Sequence, residues 1–193
     1  MKNNNRKQEI IESCIHLICE KGLDLSSMQM IADGVGISKA TLYFYFDSKE
    51  ALFKEVYHYC HQLDVEACNA GLENIDSAIE CLCVRFDNIV NYCINHPLEA
   101  KVEVLYSSNP NTSSLIERDD FIRDITSILK QGIEKKEIKD MPEWLLAEFY
   151  YGMTKSMYMK FMNNPDLWQV EEIRNNCYEI IRDTFGNKKT KGG

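Results

Sequence analysis

Ser38, Lys39, Ala40, Thr41, Tyr43, Tyr45 and Lys49 crowd into one short stretch, within GVGISKATLYFYFDSKEAL beginning at Gly34. Their chemistry is that of duplex recognition. Lys39 can reach guanine acceptors or a phosphate, and Ala40 and the Thr41 methyl suit thymine methyls. The phenols of Tyr43 and Tyr45 suit phosphate oxygens. Lys49 adds a cation in the first turn of a following helix, where free backbone N–H groups form an anion site. Lys2, Arg6 and Lys7 are read as an N-terminal arm for the flanking backbone.

The elements that must position these groups are helical. RKQEIIESCIHLICEKG repeats Ile11, Cys14, Ile15 and Ile18 at helical spacing and stops at Gly22. LSSMQMIADG follows, with Ser26 and Gln29 at capping-box spacing. Ser38 is a good N-cap for the next helix, flanked by Ile37 and Leu42 at staple positions, and Leu42 and Phe46 turn inward. Ala32 allows a close helix crossing, and Gly36 can take the positive φ of a tight turn. Two short helices joined by GVG form a helix-turn-helix pattern, whose second helix lies in a major groove with its N-terminal residues at base edges.

The stretch SSMQMIADGVGISKATLYFYFDSKEALFKEV, after a helix ending in EKG, resembles the DNA-binding domain of the TetR family of bacterial transcriptional regulators. The resemblance covers about the first third of the chain. It implies phosphate or base contacts at Ser27, Gln29, Ser38, Lys39, Thr41, Tyr43, Tyr45 and Lys49. Tyr45 stands where that family often has His, and Lys136, in GIEKKEI, where Gly is common; a differently shaped helix end is expected there. The family also implies a C-terminal helical domain that binds a small effector and dimerises through its last two helices.

The whole chain is expected to be all-α, with about nine helices. A DNA-binding domain is placed at 4–64, with its helix-turn-helix at about 27–46. An effector-binding and dimerisation domain follows at 65–186, and a disordered tail at 187–193. Asp47 with Glu50, Ser77 with Glu80, Asp140 with Glu143 and Asp166 with Gln169 are read as further helix starts, and NPNTSS from Asn109 as a loop. Phe86, Ile89, Tyr92, Tyr106, Phe121, Ile125 and Met153 are candidate effector-pocket residues. The helix PEWLLAEFYYGMTKSMYMKFM is apolar on more than one face, so one face can meet a partner subunit. Tyr150, Met157, Tyr158, Phe161, Ile173, Cys177 and Ile180 are the candidate dimer interface.

Composition narrows the function classes. A formal net charge of −8 over 193 residues excludes a general nucleic-acid coat, so DNA contact must be local. No stretch is apolar enough to span a bilayer and the N-terminus has no signal-peptide core, which points to the cytoplasm. Eight cysteines without a CxxC pair read as free thiols, mostly core. No Gly-rich phosphate loop, GxSxG or HExxH occurs, so neither catalysis nor a cofactor is expected. The resulting expectation is a homodimeric repressor released from a pseudo-palindromic operator by a small apolar or amphipathic effector. Two alternatives stay open. Cys60, Asp64 and Cys68, with His61 alongside, share a helix face and could make the regulator metal- or thiol-responsive. The N-terminal unit could instead be a packing module in a helical enzyme or carrier.

Overall fold

The computed structural model describes residues 2–109 and 118–187; the side chains of 2–4 and 118–121 lie outside that description, and so does most of NPNTSS and of the tail. Ten α-helices are present among the described residues. They are α1 (Lys2–Lys21), α2 (Met28–Val35), α3 (Lys39–Tyr45), α4 (Lys49–Asn69), α5 (Ala78–Asn95), α6 (Pro97–Ser108), α7 (Arg118–Glu134), α8 (Glu143–Asn163), α9 (Pro165–Gln169) and α10 (Glu171–Phe185). A 3-10 turn, Leu72–Asn74, precedes α5. The all-α expectation holds.

The helices form two compact units. The first is Met1–Asp64 with His96–Ile116, the second Val65–Asn95 with Glu117–Gly193. In the first, Ile10, Cys14 and Ile18 of α1 meet Ile31 of α2, Leu42 of α3, Leu52 and Val56 of α4, and Val102 and Tyr106 of α6. α6 is tied there by polar contacts as well. The Leu98 carbonyl accepts from the Cys19 thiol at 3.3 Å, and Lys101 Nζ donates to the Cys19 carbonyl at 2.9 Å. In the second, Leu82, Phe86 and Val90 of α5 pack with Ile125 and Leu129 of α7, Tyr150 and Phe161 of α8, Trp168 of α9 and Ile181 of α10. Two buried hydroxyl groups anchor these cores: Tyr106 donates to the Phe53 carbonyl at 2.7 Å and Tyr150 to the Leu82 carbonyl at 2.8 Å.

Several helix starts differ from the capping-box expectations. Ser27, not Ser26, caps α2 by accepting from Met30 N, while the buried Ser26 hydroxyl donates back to the Gly22 carbonyl at 2.7 Å. Ser48, not Asp47, caps α4 through Ala51 N. The start of α5 is capped from far away: Glu137 accepts from Ala78 N at 2.7 Å and from the Ser77 hydroxyl at 3.0 Å. Pro142, rather than Asp140, occupies the N-cap of α8, and the final segment breaks at Val170 into α9 and α10 instead of running on from Asp166.

Beyond the end of α7, Lys136 takes a backbone conformation that favours glycine. Lys136 sits at φ +59°, the left-handed conformation that a glycine would take there. The carbonyls of Ile133 and Gly132 accept from Lys136 N and Glu137 N, both at 2.9 Å. A side chain in that conformation is strained by about 1 kcal/mol. Lys136→Gly should therefore stabilise the chain by up to about 1 kcal/mol, less the extra freedom glycine gains when unfolded. Chemical denaturation checks this; an unchanged or lower midpoint contradicts it.

Candidate nucleic-acid interface

The turn before α3 is built from local chemistry. Gly36 takes φ +69° at the end of α2, so Gly36 N and Ile37 N close on the carbonyls of Asp33 and Ala32. Gly34 has a different reason: a Cβ there would lie 2.7 Å from the Ser13 hydroxyl of α1. Ser38 then caps α3. Its Oγ accepts from Thr41 N at 3.0 Å and shares a hydrogen bond with Thr41 Oγ1 at 2.8 Å. Leu42 and Phe46 are buried in the first core and fix the rotation of α3.

That rotation decides which groups are free. Ser38, Lys39, Ala40, Thr41 and Tyr43 are all exposed. Lys39 Nζ lies 5.9 Å from the centre of the Tyr43 ring, so the two form a cation–π pair on the outer face. Tyr45 is half-buried against the core, and the Phe44 ring meets it edge-on at 5.4 Å. Ser27 caps α2, and Gln29 is exposed with its amide donating to Asp33 at 2.7 Å.

Lys49 and the proposed arm are placed differently from expectation. Lys49 Nζ donates to the Leu23 carbonyl at 3.2 Å and lies over the Phe53 ring. Two of the N–H groups at the start of α4 are also taken. Ser48 takes one, and a backbone hydrogen bond, with one to Ser48, holds the Glu50 carboxyl below its usual range. Arg6 and Lys7 are part of α1 rather than an arm. Arg6 pairs with Glu9, and Lys7 with Glu55 across to α4.

Phe44 is the residue that the sequence reading passed over. It is 77% exposed, an unusual position for a large apolar ring in the middle of a helix. The signal was present: with Leu42 and Phe46 inward, positions 43 and 44 must face out.

The other candidate sets divide. Phe86, Ile125 and Met153 belong to the second core, and Ile89 and Tyr92 are buried on α5; the Phe121 side chain is outside the described residues. Tyr106 does not join them, because its ring stacks on Tyr57 in the first core at 5.2 Å. On α8 and α10, Tyr150, Phe161 and Cys177 face their own core and cannot form an outer face. Met157, Tyr158 and Ile173 are half-buried, and Ile180 is 53% exposed. Phe149 (64%) and Trp144 (63%) are the large exposed rings on α8. Cys60 and Cys68 are both buried on α4.

No described helix is long and apolar enough to cross a membrane. The family model for bacterial regulatory proteins of the tetR family matches residues 10–56, from α1 into α4. The biofilm operon icaADBC negative transcriptional regulator IcaR of Staphylococcus aureus is 41% identical over 69 residues, 36% of this chain and 33% of that protein, so the match spans about a third of that relative. A TetR family transcription regulator from Marinobacter aquaeolei VT8 superposes with a TM-score of 0.79 at 17% identity, over 97% of this chain and 98% of the other. FadR from Bacillus subtilis, solved with stearoyl-CoA, gives a TM-score of 0.76 at 21% identity, over 90% and 96%. Residues 10–56, on α1–α4, thus carry the N-terminal domain of bacterial regulatory proteins of the tetR family, and the fold along the rest of the chain is the one seen in solved TetR family regulators.

Proposed function

We propose that the protein is a ligand-responsive, DNA-binding transcriptional regulator, acting as a homodimeric repressor on a pseudo-palindromic operator. The observation that carries this reading is the outer face of α3: Lys39, Ala40, Thr41, Tyr43 and Phe44 are all exposed while Leu42 holds the helix from behind. Two such helices in a dimer enter successive major grooves about one turn apart (~34 Å). Lys39 and Thr41 read base edges, and the Tyr43 hydroxyl grips a phosphate. Lys49, already bound to the Leu23 carbonyl, braces α4 and keeps only its remaining N–H donors for DNA.

The effector is an apolar or amphipathic small molecule, a class supported by the stearoyl-CoA bound to FadR and by the aromatic and Met content of the second unit. Phe86, Ile125 and Met153 share one cluster there, so a ligand entering it must exchange for core contacts. Methionine suits that exchange because its thioether repacks easily. α4 carries Asp64 of one unit and Val65 of the other and is a direct covalent route for the signal. The ligand acts only through unequal affinity for two arrangements, and operator DNA must weaken its binding by the same factor. Thiol oxidation is disfavoured as the signal: burial pushes Cys14 up to about 12 and Cys83 up to about 11, leaving little thiolate at neutral pH.

Tyr43→Phe tests the docking. Binding should weaken about equally on matched and mismatched duplexes, whereas Thr41→Val should change the preferred bases. Mobility shifts on the promoter beside the chain's own gene would show it. Retention of full affinity by both variants contradicts the assigned face.

A further inference from the structure

His61 and Asp64, one turn apart on α4, meet Glu103 of α6 inside the first unit. One ligand atom from each lies within 4.8 Å of the other two. His61 Nε2 and Glu103 Oε1 are both enclosed by protein and have no hydrogen-bond partner. Such orphaned buried groups are costly to a fold, so they call for a missing partner. The Tyr57 ring stacks on the His61 imidazole at 5.5 Å, nearly parallel, and holds its plane.

We propose that His61 Nε2, Asp64 and Glu103 bind one first-row divalent transition-metal ion, Zn²⁺ or a close neighbour, bridging α4 and α6. One imidazole nitrogen with two carboxylate oxygens suits that class better than Ca²⁺ or Mg²⁺, which prefer all-oxygen sites. Ligand atoms around such an ion stand about 3.0–3.6 Å apart, so small side-chain rotations complete the shell, with water at the open position. Burial, with Asp64 alongside, pushes the Glu103 carboxyl well above its usual range. A bound cation removes that conflict by taking the place of the proton, which leaves to solvent. The set differs from the cysteine-containing face of α4 considered from sequence, and it stands apart from the outer face of α3. Failure of either proposal leaves the other intact.

The test is titration of metal-stripped, full-length protein with Co²⁺ followed by visible absorption, and with Zn²⁺ followed by calorimetry. One ion per chain is expected, at a Kd of about 1 μM or below, without a thiolate-to-cobalt band in the near ultraviolet. His61→Gln and Glu103→Gln should each weaken binding by at least about 30-fold. Zn²⁺ should raise Tm by several degrees in the wild type and in neither variant. Metal-free Glu103→Gln should melt at or above the wild-type temperature, an outcome that a purely structural carboxylate would not give. The two residues come from different helices, so one folded variant suffices. No saturable binding, a thiolate band, or wild-type affinity in a folded variant overturns the site.

Discussion

Lys39→Glu is expected to fold and melt as the wild type does and yet lose specific operator binding by roughly 30-fold to 20,000-fold. The range follows from the geometry. Lys39 is exposed as the first residue of α3, and its side-chain contact is with the Tyr43 ring. Stability therefore has little to lose. A good contact to a base edge contributes about 1–3 kcal/mol, and a dimer on a palindrome makes it twice, about 2–6 kcal/mol in all. Reversing the charge also sets a carboxylate against the phosphate backbone, so the upper part of the range is favoured and the salt slope should flatten. Anisotropy titrations at two salt concentrations, alongside thermal melts, measure both. Wild-type affinity would mean that the outer face of α3 is not the reading surface.

Phe149→Asp combined with Ile180→Asp is expected to convert a dimer to a monomer, with self-association at least about 100-fold weaker. Both side chains are exposed in the single chain, on α8 and α10, and neither belongs to its core cluster. Phe149, Gly152 and Ser156 are exposed at helical spacing on α8, and a Cβ on Gly152 would meet nothing within 4 Å. A flat, small-residue face beside an aromatic anchor suits close helix packing. In a two-fold interface each substitution acts twice, and central apolar anchors are worth about 2 kcal/mol or more apiece. Analytical ultracentrifugation reads the result directly. Operator affinity should fall with it, because one reading head holds only half a palindrome. A dimer that survives both aspartates places the interface elsewhere.

What the sequence could reveal depended on how local its cause is. The turn at Gly36, the cap at Ser38 and the inward faces of Leu42 and Phe46 are set by neighbours a few residues away, and all were readable. Caps recruited through space were not. Glu137 closes the start of α5 from 59 positions away, and Ser26 turned its hydroxyl back to Gly22, leaving the cap of α2 to Ser27. α8 shows the limit of periodicity. An apolar stripe this wide says that two faces are covered but not which one is the core. Tyr150 and Phe161 turned inward, while Phe149 stayed outside. Tyr106 fell in the first core because α6 packs with α1, a pairing no helical pattern encodes. His61, Asp64 and Glu103 meet for the same reason: two share a helix turn, and the third arrives on α6.

The most direct measurement is selection of purified, full-length protein on a random-sequence duplex library, with the enriched duplexes sized for stoichiometry. Enrichment of inverted half-sites with centres about one helical turn (~34 Å) or somewhat more apart, each duplex carrying a dimer, is the outcome expected of two outward-facing α3 helices. Recovery of no duplex above background, or of a single asymmetric site held by one chain, would contradict it.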